Sequence, residues 1–468
     1  MTRLTLSVWA SLLCISGFGC ASESTADPTT YLSAEELLDP ETCKTCHPQH
    51  YREWASSMHA YAAEDPVFSA MNRRAQRQTD GSIGEFCVKC HAPMAVSMGA
   101  TRDGLNLDDV PQKLKGVTCY VCHNATGVGE HFNNDIQLAN DNVMRAALDA
   151  PIHSPAHATR YSDLLDGNRR RSSELCGSCH DVVVPSNVHL ERTFAEYKAS
   201  LFGQLEQGFE TCVGCHMPGR DAPAAALANA PQRTTHEHLW PAVDVALTPF
   251  PDLDLQRTAV ECELALGTRF RSVEHDGLGS FTIFSETAAG HKQPSGAAQD
   301  RRMWIEVVAY DSQERVIFES GHIAEGELIE RAPGDAKYDP QLALYRDWMY
   351  DANGELTHNF WEAAPSTAYP TGYESLTLPY TIDPGVPHTL SARFAIARYR
   401  EIARMTIRMR LQPIGMDVLQ DLVATGDLDA SVIERMPTFT MHGASVEWRP
   451  DQEMPRSLLP KDLSCPSR

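Results

Sequence analysis

The chain divides into two textures that predict an α+β, multidomain architecture: an amino-terminal part of short helices followed by an antiparallel β-sandwich. Two observations carry this. The pattern Cys-x-x-Cys-His occurs five times between Cys43 and His216, in a stretch too polar to build a large apolar core from its own side chains. From about residue 245 the pattern stops, and alternating runs rich in Val, Ile, Phe and Tyr begin, bounded by Gly, Pro, Asp and Ser.

The five repeats are Cys43–Cys46–His47, Cys87–Cys90–His91, Cys119–Cys122–His123, Cys176–Cys179–His180 and Cys212–Cys215–His216. This spacing is the attachment signature of c-type haem. Two thiols bond to the porphyrin edge, and the next residue, His, is held beneath the iron as its proximal ligand. Zinc sites pair Cys-x-x-Cys units or add spaced histidines, which gives no reason for a His directly after every second Cys. The expected cofactor is therefore haem c, five covalently attached groups, and the first folded part is a multihaem cytochrome c domain. Porphyrin faces supply the apolar material that the side chains lack, so short helices wrapped around stacked haems are expected, with almost no sheet.

Fourteen cysteines are present, and four lie outside the repeats: Cys14, Cys20, Cys262 and Cys465. The first nineteen residues read as a secretory signal, with Arg3 before an apolar run from Leu4 to Phe18. Gly17-Phe18-Gly19-Cys20 looks like a bacterial lipoprotein cleavage site, which would leave Cys20 as a lipidated amino terminus; the competing reading is ordinary cleavage near Ala21. Cys14 falls within the apolar run. Residues 20–40 are small and polar and read as a tether. The expected division is then signal peptide 1–19, tether 20–40, pentahaem domain 41–244 and β domain 245–468. An exported, periplasmic or outer-membrane, cell-surface location follows, and Cys262 and Cys465 are expected to form a disulfide in that oxidising compartment.

Formal net charge is −22, and haem propionates would add to it. That argues against nucleic acid as a partner and favours redox partner proteins, other cytochromes among them, with a lipid anchor as the contact with membrane.

Within the first part, Tyr51, Trp54 and Met58 follow helical spacing after the first repeat. A helix continuing to His59 would put that residue roughly 18 Å from His47, out of reach of its own haem but within reach of a neighbour. Pro66 interrupts the next helical stretch, which runs on to about Gln78. Ala150–His157 carries two prolines and reads as a rigid turn presenting a His. Phe194, Tyr197 and Leu201 mark one face of a helix over 191–205. In the second part, strands are expected at 279–286, 303–311, 315–320 and 389–398, with a hairpin turn at Asp311–Glu314.

The sequence resembles the multihaem cytochromes c of the cytochrome c-554 type, in particular larger members with a carboxy-terminal β domain. The residues that carry the resemblance are Tyr51, Trp54, Ser57 and His59 after the first repeat; Phe86 and Ala92-Pro93 about the second; and Gly116-Val117-Thr118 before the third. Further on they are Ser154-Pro155-Ala156-His157 with Tyr161-Ser162, Cys176 to Asp181, Glu196–Ser200, Cys212 to Pro218, and the turn Gly290-His291-Lys292-Gln293-Pro294-Ser295-Gly296. The resemblance implies distal ligation by His59, His157 and His238, with His291 as a fourth candidate and His236 as the rival of His238. For a fifth distal ligand the candidates are His131 and His153, and Met94 and Met217 beside prolines read as packing. An iron lacking a second ligand would admit a small nitrogen or sulfur compound, so two functions are open: electron transfer through mostly bis-His haems, or an oxidoreductase at one five-coordinate haem. Every repeat ends in His, and the second part holds no Ser-His-Asp, phosphate-loop or metalloprotease pattern, so catalytic residues are not expected there.

Overall fold

Prolines and their preceding residues set the helix starts of the amino-terminal part. The computed structural model describes residues 31–148, 156–204, 210–228, 230–380, 389–452, 455–458 and 465. Cys14, the signal region, Cys20 and His153 lie outside the described residues. Asp39 caps Pro40–Cys43, and Asp65 caps Pro66–Gln78 by accepting from Val67 N–H at 2.8 Å. In both, Pro occupies the first turn, where its missing N–H costs nothing. The helix after the first repeat is shorter than its periodicity suggests. It runs Pro48–Ala55 and stops, and Ser57 caps a second helix, Met58–Tyr61, through Ala60 N–H. Paired serines with oxygens that cap or back-bond end the first segment and redirect His59.

The expectation of almost no sheet is corrected in part. Four two-stranded ribbons lie in this region: Ala125–Val128 with Ile136–Leu138, Val143–Ala146 with Ala158–Tyr161, Val182–Val183 with His189–Glu191, and Gly219–Pro223 with Gln232–His236. They are short links between the repeats. The second pair is parallel and brings the chain after His157 alongside the chain after the third repeat.

The carboxy-terminal region opens with a helix, Leu253–Gly267, and then forms two antiparallel sheets. Thr268–His275, Ser280–Thr287 and Leu390–Ala395 make the three-stranded one. The eight-stranded sheet is centred on Arg302–Tyr310, Arg404–Gln412 and Phe439–Trp448. Phe281, Ile283 and Phe394 from the first share one apolar core with Ile305, Val307, Ile407 and Met409 from the second. Strand Met303–Ala309 does not alternate because both its faces are covered; Trp304 packs with Ile329 and Leu344 on the far side. The turn at Asp311–Glu314 forms as expected, with the Asp311 carboxylate accepting from Gln313 and Arg315 N–H.

The two regions share packing. Val67, Ala70 and Met71 of the helix Pro66–Gln78 bury against Met416, Leu419 and Leu422 of the helix Met416–Ala424. Val184, Val188 and Leu190 bury against Met349 and Ala363. Arg52 pairs with Asp252 at 2.7 Å and Arg77 with Asp427 at 2.9 Å, and Arg74 pairs with Asp421. Gly372 has φ of +75°, and a Cβ there would stand 2.7 Å from a Val188 methyl, so this close approach needs glycine.

Cys262 and Cys465 form the expected disulfide, joining residues 203 apart in sequence. A cross-link over so long a loop restricts the unfolded chain strongly, and Cys262→Ser is expected to destabilise the carboxy-terminal region by about 2–5 kcal/mol. Denaturant titration followed by tryptophan fluorescence, without reductant, measures this; an unchanged midpoint would mean the bond adds nothing.

Candidate haem sites

Three of the repeats fold as a single helical turn, and the first and fourth continue from the end of a helix into a turn. The turns are Val88–His91, Cys119–His123 and Cys212–His216, with Arg171–Gly177 leading into the fourth and Pro40–Cys43 into the first. All ten thiols are unpaired by disulfides and partly buried.

The histidines pair across the fold. His59 faces His180 with ring centres 6.2 Å apart, His123 faces His238 at 6.2 Å, and His216 faces His291 at 6.4 Å. Metal–imidazole bonds of about 2 Å on opposite sides of one ion would separate ring centres by roughly 6 Å. The rings of His123 and His238 lie within 10° of parallel, and those of His216 and His291 within 13°. His157 lies close enough to His47 and to His123 to oppose protonation of both.

The hydrogen bonds select one tautomer. Nδ1 of His91 meets Ala62 O at 3.0 Å, that of His123 meets Arg145 O at 2.6 Å, and that of His216 meets Pro241 O at 2.9 Å. On the distal side Nδ1 of His238 meets His236 O at 2.8 Å, that of His291 meets Lys292 O at 2.9 Å and that of His157 meets Ala158 O at 3.2 Å. A carbonyl only accepts, so Nδ1 carries the proton in every case and Nε2 keeps its lone pair for a metal. Burial opposes protonation of His59, pushed down to about 3, and of His47, pushed down to about 4. Neutral, oriented imidazoles beside paired thiols fit haem c.

Backbone contacts aim His59. Its carbonyl accepts from Val117 N–H at 2.8 Å, and Trp54 Nε1 donates to Val117 O at 2.8 Å. Gly116, at φ of +69°, lies so close that a Cβ would sit 2.6 Å from the His59 carbonyl oxygen. His238 is held by Glu53, which accepts from its backbone N–H at 3.0 Å and from Arg220 at 2.9 Å. Glu53 carried no signal in the sequence beyond its place on a helix. Trp240, edge-on to both His59 and His238 at 4.6 and 5.2 Å, was legible only as a neighbour of the His-rich stretch.

The rivals separate. His236 turns its Nδ1 to Met217 O at 2.7 Å, and it is His238 whose ring opposes a proximal one. His131 stands 3.9 Å from Glu174 and edge-on to Phe194, and no ring contact joins it to a repeat histidine. Met94 is fully buried in an apolar cluster with Val88, Ala92 and Tyr120, as packing requires. His91 differs from the other repeat histidines: Phe68 stacks flat on it at 3.9 Å, and among the described residues no histidine ring faces it at ligand-pair distance.

Thiols from different repeats adjoin. Cys43 and Cys119 are within hydrogen-bonding reach of each other, as are Cys90 and Cys179, and Cys176 and Cys212. Cys122 is near Cys179.

A family model described as "Cytochrome c554 and c-prime" matches residues 42–124. Residues 42–124, which hold the first three repeats, are thus similar to the cytochrome c-554 family. Among solved structures it is similar to a penta-heme cytochrome c552 from Thermochromatium tepidum, with a TM-score of 0.57 and 19% identity over 90% of this chain and all of that one. No curated protein matches the chain. Among the described residues, no helix is long and apolar enough to cross a membrane.

Haem content is directly measurable. The intact protein is expected to give five haems per chain by pyridine haemochrome assay, and the double substitution Cys176→Ala, Cys179→Ala is expected to give four. A wild-type value below five would show that one repeat is not loaded.

Proposed function

We propose that this chain is a multihaem c-type cytochrome that transfers electrons through five covalently attached haems, four of them held between two histidines. The observation that carries the reading is the set of opposed rings: His59 with His180, His123 with His238 and His216 with His291 at 6.2–6.4 Å. His157 is the proposed partner of His47. Haem supplies one-electron chemistry, and two imidazole ligands saturate the iron and suit it to moving electrons. The residues supply orientation through Nδ1 and exclude water by burial.

The adjoining thiols support a path from the first site to the third and on to the fourth. The second and fifth sites would both join the fourth. His180 lies near both His91 and His291, which agrees with that branching. We read residues 41–244 as the haem domain and 245–468 as a β-sandwich that contributes His291. Redox proteins are the proposed partners. Export follows from the attachment chemistry, and lipidation at Cys20 would anchor the protein at a membrane surface.

A second reading rests on His91. With Phe68 against its ring and no facing histidine among the described residues, the second iron would be five-coordinate. It would then admit a small nitrogen or sulfur compound, which makes this cytochrome an oxidoreductase.

Low-temperature EPR of the oxidised, fully loaded protein decides between them. Four low-spin haems plus one axial high-spin signal at g of about 6 is the expected outcome. Nitrite, hydroxylamine and nitric oxide would then be tested against the high-spin signal. Five low-spin haems would remove the oxidoreductase reading, and more than one high-spin haem would break the assignment of four ligand pairs.

A further inference from the structure

We propose that Glu196 is the positioning residue for His291, and so sets the axial ligation of the fifth haem site. This rests on the reading of His291 as a ligand. His291 sits on the loop between the strands Ser280–Thr287 and Arg302–Tyr310. On its sheet side the loop is tied by mutual backbone hydrogen bonds between Gln293 and Leu378, at 3.0 and 2.6 Å.

The other side is held by the short helix Thr193–Ala199, which lies between the fourth and fifth repeats. Glu196 Oε2 accepts from Lys292 N–H at 3.1 Å and from Ser295 Oγ at 3.3 Å. Thr193 Oγ1 accepts from Gly296 N–H at 3.0 Å and meets Ser295 Oγ at 2.9 Å. The carbonyl of Lys292 is the acceptor for His291 Nδ1 at 2.9 Å. One peptide unit therefore separates the Glu196 carboxylate from the ring: the carboxylate fixes Lys292, and Lys292 fixes the imidazole tautomer and tilt.

Glu196 is only 11% exposed, with Arg192 at 3.9 Å. Its bonds to the loop are charge-assisted and poorly replaced by water. Gly290 adds a steric constraint, since a Cβ there would stand 3.4 Å from Tyr197 of that helix and 3.2 Å from Phe202 of the next, Leu201–Gln204. Thus a ligand from the β region would be aimed by a carboxylate of the haem region. Haem attachment and docking of the two regions then become mutually dependent at this site.

The test uses the haem-loaded full chain and three variants. His291→Ala defines the signature of an open fifth site: one more high-spin haem by EPR, and one more haem that takes up carbon monoxide when reduced. Glu196→Ala is expected to shift the same haem towards that signature while haem content stays at five. Should Glu196→Ala fail to load five haems, Glu196→Gln, which keeps an accepting oxygen without the charge, is read instead. It is expected to raise the rate of carbon monoxide uptake at that haem on the order of tenfold, the effect of weakening one charge-assisted hydrogen bond. If His291→Ala leaves the low-spin signals unchanged, the ligand reading fails and the proposal with it. If His291→Ala opens the site but the Glu196 variant keeps wild-type spin state and uptake rate, the ligand reading stands and Glu196 is not the positioning residue.

Discussion

Opposed imidazole rings organise this structure. A buried imidazole is useful to a metal only when it is neutral and presents one nitrogen, and both conditions are met by burial and by a backbone carbonyl on Nδ1. The short helices, the two-stranded ribbons and the tight turn at Gly116 all serve to deliver such rings in pairs from distant parts of the chain. His59 meets His180 and His123 meets His238 across more than a hundred residues of sequence, so these ring contacts join distant parts of the amino-terminal region.

The carboxy-terminal region is built differently. Its sheets share an apolar core of ordinary side chains and need no prosthetic group to pack. Its contact with the amino-terminal region combines apolar burial, as between Met71 and Leu419, with ion pairs such as Arg77–Asp427. Among the described residues, His291 is the one from this region whose ring faces a repeat histidine. A region with no redox chemistry of its own thus holds one ring of a pair, and the loop that carries it is clasped from the opposite side by Thr193 and Glu196.

The second repeat is the exception that gives the arrangement its chemical interest. His91 has the same kind of Nδ1 bond to a carbonyl as His123 and His216, so its own orientation is equally well determined. What differs is its surroundings, where Phe68 lies flat against the ring.

The sequence by itself determined the attachment sites, because thioether chemistry needs its Cys-x-x-Cys-His atoms within five consecutive residues. It also determined the change from a short-helix region to a β region, because strand alternation is local, and the pairing of Cys262 with Cys465, because these alone lay outside the repeats and the amino-terminal stretch. Which histidine rings face each other was decided only by tertiary structure. A lone histidine such as His59 or His291 has no local feature that names its partner, and the choice between His236 and His238 turned on which ring the ribbon before it left facing His123. The break at Ser57, the four ribbons and the roles of Glu53 and Glu196 were likewise invisible. Each depends on a backbone group brought close by the fold, and a carboxylate that will accept from a distant N–H looks, in sequence, like any other surface acid.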